Sequence, residues 1–351
     1  MLKLAVVGAG LLGARHARAY AEHAGCRLVS VCDLDRGRAE AVAARHGARA
    51  YASLAELLRA GVDAVSVATP DHAHHDPAAE CLEAGAHVFV EKPLTIDPGE
   101  ARALVRLAEA RRRVLMVNYS QRWLPEHRRI EQLIASGALG EIAFVESHRW
   151  DAAWVPTRMI APWADRTTPV HFMSSHDIDL ILAWTGRRAR RVCAASHRGA
   201  LGRSDLVDGY QALIELEGGA RVGLHSSWIL PETFPAAADS RLEILGSRGA
   251  VFFDGNRREM SVFASGHSER VVFGGPRTAD EVGGRIAGAF VDSLRAFVDA
   301  VAADDRVGPT SASRTLHVVE VQAAVLASAE RGREVTFDAE PPGAARGRSG
   351  P

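Results

Sequence analysis

The stretch Lys3–Tyr20, KLAVVGAGLLGARHARAY, decides the fold. An apolar run of the length of one buried strand passes directly into Gly8, Gly10 and Gly13, spaced G-x-G-x-x-G, and then into a helical pattern that closes on Gly25. A turn of this kind serves a tight reversal, a close backbone approach to a pyrophosphate and close helix–strand packing, with the helix N-terminus facing the anion. Asp33 ends the next strand-like run, RLVSVCD, about 20 residues on, where an acidic side chain meets an adenosine ribose. It favours NAD over NADP by repelling a 2′-phosphate, while nearby Arg36 leaves NADP possible. The plainer reading has the glycines serving packing alone and Asp33 capping a helix.

Outward from this turn the first third alternates strand and helix signals. DAVSVATP, HVFVEKP and VLMVNY are short Val-rich runs, and each of the first two leads into a helical segment. Continuous apolar runs of this kind mark parallel strands covered on both faces, hence a doubly wound α/β domain over residues 1–122. In such a sheet ligands bind outside the carboxyl ends of the strands. That rim collects Gly8, Ala9, Gly10, Leu11, Leu12, Gly13 and Asp33 with Thr69, Pro70, His74, Glu91 and Lys92 as candidate cofactor contacts. Residues 123–340 change rhythm: IAFVESHRW, RVCAASHRG, GYQALIELEGG, ARVGLHSSWIL, SRLEILGSRG, AVFFDG and SVFAS follow one another with few helices. They imply a large, open, mostly antiparallel sheet with one exposed face, and an α+β domain. Helices are expected at SSHDIDLILAWTG and near 283–303 and 311–331; residues 341–351 read as a disordered tail.

Composition narrows the function. The 351 residues exceed the ~250–300 at which one core usually stops growing. A formal net charge of -1 leaves no footprint for nucleic acid or anionic membrane, and no apolar run reaches the ~20 residues of a membrane span. Cys26, Cys32, Cys81 and Cys193 form neither a C-x-x-C pair nor a zinc spacing, which suits a reducing cytoplasm. The histidine run His72–His75 has no carboxylate or cysteine at ligand spacing, so no metal is expected.

Taken together, VVGAGLLGARHARAY, VATPDHAHHDPAAECLEAGAHVFVEKPLT, NYSQRWLPEHRRIEQLIASGALGEI and SHDIDLILAWTG resemble the glucose–fructose oxidoreductase/inositol dehydrogenase/rhizopine catabolism (Gfo/Idh/MocA) family to about residue 340. The resemblance implies an N-terminal Rossmann domain and a C-terminal domain whose open sheet often mediates homodimers or homotetramers. It implies NAD(P)-linked oxidation or reduction at a carbinol carbon of a sugar, cyclitol or related polyol. It also implies that the lysine of E-K-P and a histidine of the later helix, here Lys92 and His176, are catalytic, and the Lys–Pro bond is sometimes cis in relatives. In this chemistry a histidine suits proton transfer and a lysine stabilises a developing alkoxide. Polyol dehydrogenases of the family often carry an aspartate four residues before the histidine; here Phe172 stands there, preceded by His171. Lys92, Arg122, Trp163, His171 and His176 are therefore the expected substrate contacts, with Asp179 orienting His176 from the same helix face. Two other readings stand beside this one: a non-catalytic nucleotide- and sugar-binding regulator, and a lyase or hydrolase that oxidises its substrate only transiently.

Overall fold

The structure, a computed structural model, describes residues 1–264 and 266–337; the expected tail at 341–351 lies outside the described residues. The first sheet comprises β1 (Leu2–Val7), β2 (Cys26–Cys32), β3 (Arg49–Tyr51), β4 (Ala64–Val67), β5 (His87–Val90) and β6 (Leu115–Val117). All pair in parallel, in the order β3-β2-β1-β4-β5-β6. Every residue of β4 is buried, as a strand covered on both faces requires. Helices α1 (Leu11–Ala21), α2 (Arg36–Arg45), α3 (Leu54–Arg59), α4 (His75–Glu83) and α5 (Pro98–Arg111) alternate with these strands. The short β3 and α3 have no clear apolar period and went unread in the sequence, so DAVSVATP supplies the fourth strand and not the third. Strand order reverses between β1 and β4, and the crevice opens there.

After α6 (Pro125–Ala135) the chain enters a second sheet built around β7 (Ile142–Ala152). This sheet also contains β8 (Ala189–His197), β9 (Gly209–Leu216), β10 (Arg221–Leu230), β11 (Ala238–Gly246), β12 (Gly249–Asp254), β13 (Glu259–Ala264) and β14 (His267–Val272), with a hairpin of β15 (Asp280–Val282) and β16 (Arg285–Ala287) beyond it. The order is β14-β13-β12-β11-β7-β10-β9-β8-β17, with β17 at Val335–Thr336. Only the central β7–β10 pair is parallel. Alternation along β7 turns Val145, Ser147, Arg149 and Asp151 toward the helices α7 (Ser175–Thr185) and α9 (Ala312–Arg331). Phe144, Glu146, His148 and Trp150 occupy the opposite face. On that open face Phe144, Leu213, Leu245, Phe252 and Phe263 are each at least 40% exposed, a contiguous apolar patch of the kind that marks an interaction surface. Among the described residues, Glu146, His148 and His225 on this face are the three His, Cys, Asp or Glu side chains close enough to share an ion. The two imidazoles stack with their planes 4° apart and centroids 4.6 Å apart. In-plane lone pairs of parallel rings do not converge on a common point, so the arrangement is a stack edged by Glu146 and not a chelate.

A contiguous split at residue 122 misplaces one element. Helix α8 (Ala289–Ala302) follows the second sheet in the chain, yet Phe290, Leu294, Phe297 and Val298 join the core of β1 and β2. Phe297 stacks on Phe89 of β5 at 5.0 Å and is fully buried. Truncating it should cost about 3–5 kcal/mol, the usual range for a buried phenylalanine. Urea unfolding of Phe297→Ala checks this; a loss under about 1 kcal/mol would remove α8 from that core.

Candidate active site

The glycine turn has the geometry its spacing demands. Gly8 has φ +91°, and a Cβ there would lie 2.6 Å from the Ala68 carbonyl oxygen. A Cβ on Gly13 would lie 1.7 Å from the Gly8 carbonyl oxygen, so the first and third glycines are required by the chain itself. Gly10 differs: a Cβ would meet nothing within 4 Å, so its front is open space where a ligand can approach. Gly10 caps α1 without a side-chain hydrogen bond, leaving the helix N–H groups free for an anion. The Ala9 N–H donates to Asp33 Oδ2 at 2.7 Å, tying the turn to the β2 end. Leu11 is exposed and Leu12 half-buried beside it. The arginine beside Asp33 is Arg38, 3.3 Å from Oδ1, and not the expected Arg36, which pairs with Glu40 in solvent. These residues fit a dinucleotide. Gly10→Ala should leave the melting temperature near wild type while weakening NAD binding at least ~10-fold, because only the ligand occupies that space. Gly13→Ala should instead lower the melting temperature. Calorimetric titration and thermal melts of both variants separate the two roles; equal behaviour would contradict the assignment.

Next on the rim, the loop after β4 is locked to the end of β5. Thr69 donates its hydroxyl to the Ala73 carbonyl at 2.8 Å. After Pro70, Asp71 accepts from the His72 N–H at 2.9 Å and from the Thr167 hydroxyl. The His74 ring sits between the Thr69 and Pro93 carbonyl oxygens, at 3.0 and 2.7 Å, and is 1% exposed. His74 therefore braces the two loops, with both ring nitrogens engaged by backbone carbonyls. Glu91 is likewise buried, with Oε1 accepting from His16 Nε2 at 2.8 Å and from Asn118 Nδ2 at 2.7 Å. Burial would raise its carboxyl, but the His16 ring and the Asn118 amide outweigh that and hold it below its ordinary value. Glu91 pins the sheet end through His16 and Asn118.

Pinning Glu91 aims Lys92 across the crevice. The Lys92–Pro93 peptide is cis. Lys92 Nζ donates to the Phe172 carbonyl and lies 4.3 Å from the centroid of the Phe172 ring. Burial lowers the Lys92 pKa below its ordinary value, against the pull of Glu91, Asp71 and Asp151. Phe172 precedes the first turn of α7, which carries His176. Burial, together with the charges of Lys92, Arg149 and His127, pushes His176 well below the usual imidazole value. Its Nδ1 is buried with no hydrogen-bond partner among the described residues. His171 is buried with both ring nitrogens unpartnered and its pKa lowered to about 4 by burial. Trp163 packs against His72 at 6.2 Å and Phe172 at 6.0 Å, walling the same side.

Two expected polar contacts are committed elsewhere. Arg122 donates to both Asp179 oxygens, at 2.7 and 2.5 Å, and to the Pro309 carbonyl at 2.8 Å. It is a buried tie between the loop after β6 and α7, so it is withdrawn as a substrate contact, and Asp179 is withdrawn as the orienter of His176. Arg149 makes the parallel tie, at 2.8 and 2.7 Å to Asp177 and 2.9 Å to Gln121. These two ion pairs bracket His176 and fix the start of α7. The sequence reading also passed over Asp151, which lies on the helix-facing side of β7 in phase with Val145. Burial raises Asp151 to about 7, opposed by Arg149 and Lys92. Ser174, Ser175, Ser226 and Trp228 add buried polar atoms with no partner among the described residues. Such atoms are costly unless a ligand supplies the hydrogen bonds.

A glycine turn at a sheet crossover, with a desolvated lysine and an uncharged histidine beside it, defines a nicotinamide-dependent oxidoreductase. The family described as "Oxidoreductase family, NAD-binding Rossmann fold" matches residues 2–119, and the GFO/IDH/MocA C-terminal domain matches residues 127–252. The chain is 30% identical over 320 residues to inositol 2-dehydrogenase 1 of Saccharopolyspora erythraea, covering 88% of this chain and 89% of that one. It is 33% identical over 234 residues to UDP-N-acetylglucosamine 3-dehydrogenase of Acidithiobacillus ferrooxidans, covering 66% and 68%. A solved structure of UDP-N-acetylglucosamine 3-dehydrogenase from Acidithiobacillus ferrooxidans superposes with a TM-score of 0.79 at 26% identity, over 94% of this chain and 98% of that one. The protein belongs to the Gfo/Idh/MocA family of NAD-binding oxidoreductases. Among the described residues no helix is long and apolar enough to cross a membrane.

The raised Asp151 carboxyl makes the stability of the fold pH-dependent. A carboxyl at about 7 in the fold and about 3.9 unfolded keeps its proton only in the fold between those values. Its contribution is thus fully present below about pH 4 and lost as pH rises toward 7. Relative to Asp151→Asn, the wild type should lose about 1.4 kcal/mol per pH unit over that window and nothing further above it. Chemical denaturation of both proteins from pH 4 to 8 checks this; a pH-independent difference would contradict the burial of a neutral Asp151.

Proposed function

We propose that the protein is an NAD-dependent dehydrogenase or reductase acting on a CH–OH carbon of a sugar, cyclitol or related polyol. The observation that carries this reading is that Lys92 reaches the Phe172 carbonyl just ahead of the turn that carries His176, where burial and the Lys92 charge keep His176 uncharged. Two titratable groups whose surroundings separate their roles mark an acid/base pair. The glycine turn and the α1 N-terminus would hold the pyrophosphate of NAD, and Asp33 the adenosine ribose. When bound, the nicotinamide supplies the hydride acceptor or donor. His176, kept uncharged by its surroundings, takes the hydroxyl proton at a ring nitrogen. Lys92 holds the same oxygen and stabilises the negative charge that grows on it. The unpartnered polar groups around them suit a ligand rich in hydroxyls, in keeping with relatives named for inositol and for an N-acetylated sugar nucleotide. The apolar open face of the second sheet suits assembly into a homodimer or homotetramer, and a cytoplasmic setting completes the reading.

The test is absorbance at the reduced-nicotinamide band with NAD and, in turn, myo-inositol, scyllo-inositol, UDP-N-acetylglucosamine and D-glucose. Net reduction with at least one is expected. Lys92→Ala should lower kcat at least ~10²-fold, the scale for losing a positioned oxyanion-stabilising group, with NAD affinity unchanged. Product without net nicotinamide change, binding without product, or a fully active Lys92→Ala would each contradict the proposal.

A further inference from the structure

Asp151 closes β7 on its helix-facing side, in phase with Ser147 and Arg149. It is 8% exposed, and no described residue hydrogen-bonds its carboxylate. Every other carboxylate around the crevice is committed: Glu91 to His16 and Asn118, Asp71 to the His72 N–H and Thr167, Asp177 to Arg149, and Asp179 to Arg122. Phe172, whose carbonyl receives Lys92, meets the Trp228 ring at 6.2 Å, which places this end of the second sheet on the Lys92 side of the crevice. The neighbouring strand adds Ser226, paired in register with Arg149, and Trp228 two residues further on. Both point to the same face and both have a buried, unpartnered polar atom, Ser226 Oγ and Trp228 Nε1.

A nearly buried carboxyl group to which the protein supplies no hydrogen bond is costly unless water or something that enters the cleft supplies one. Its oxygens accept from hydroxyls. We propose that Asp151 is a substrate-binding residue that accepts a hydrogen bond from a hydroxyl neighbouring the reacting one, so that the cleft selects a substrate with a hydroxyl beside the reacting carbon. This rests on the function proposed above and adds the residue that reads the substrate beside the reacting carbon. Lys92 and His176 would attend the reacting oxygen while Asp151, with Ser226 and Trp228, attends the adjacent one. A substrate lacking that neighbouring hydroxyl would leave the carboxylate buried and unpaired, the situation in which sites discriminate most strongly.

The test uses the full chain saturated with NAD and measures kcat/KM for myo-inositol, scyllo-inositol and UDP-N-acetylglucosamine. It compares the wild type with Asp151→Ala, Asp151→Asn and the solvent-exposed control Asp76→Asn. For whichever compounds the wild type oxidises, Asp151→Ala should lower kcat/KM at least ~10-fold, chiefly through KM, as expected for loss of a positioned hydrogen bond in a desolvated cleft. Asp151→Asn, which keeps the shape and one acceptor, should lose less, and Asp76→Asn nothing. NAD affinity should be the same in all four proteins. Folded Asp151 variants with wild-type KM would overturn the inference while leaving the proposed function standing. No turnover of any compound by the wild type would overturn the proposed function, and the inference with it. Should Asp151→Ala fail to fold, the KM of the isosteric Asp151→Asn decides.

Discussion

A half-buried ammonium group organises this molecule. Lys92 stands at the end of β5, where the first sheet delivers its crevice, and its charge is met from both lobes. Glu91 and Asp71 approach from the first lobe; Asp151, the Phe172 carbonyl and the Phe172 ring approach from the second. Desolvating a cation is expensive unless hydrogen bonds and opposite charges replace the lost water. The two halves of the chain therefore depend on each other at this point. The second lobe supplies the carbonyl that receives Lys92, and the Lys92 charge of the first adds to the burial that holds His176 neutral.

Precision at the site comes from ion pairs one step removed from it. Asp177 and Asp179 follow His176 on α7 and are clamped by Arg149 and Arg122, from β7 and from the loop after β6. Buried pairs of this kind contribute little net stability over an apolar equivalent, but breaking one leaves an uncompensated charge. Their effect here is to allow a single placement of the α7 start. The same economy explains Glu91, whose carboxylate is spent on His16 and Asn118. The helix of the glycine turn and the end of β6 thus share one anchor with the strand that carries Lys92.

Much of this was legible in the residues alone, for physical reasons. The glycine spacing has few alternative uses once it sits between a strand and a helix. Asp33 and the E-K-P segment inherit their positions from strands whose unbroken apolar character admits only burial on both faces. What escaped the reading depends on partners distant in the chain. Arg122 looks like a cleft residue until Asp179, far along the sequence, claims it. Helix α8 carries an apolar face with no mark of which sheet it will meet. Strand β7 is polar on both faces, with Glu146 and His148 on one and Arg149 and Asp151 on the other, so its alternation does not reveal which side is covered. His74 is a histidine on the right rim that the fold uses as a brace.

The central claim is that Lys92 is a desolvated cation held between the two lobes, and the most direct measurement is its own titration. Nitrogen-15 NMR of the side-chain ammonium in the NAD-bound protein, assigned with Lys92→Arg, reports the pKa without reference to any substrate. The account predicts a midpoint below the ~10.4 of a free lysine side chain. A midpoint at or above that value would place Lys92 in water and contradict the account.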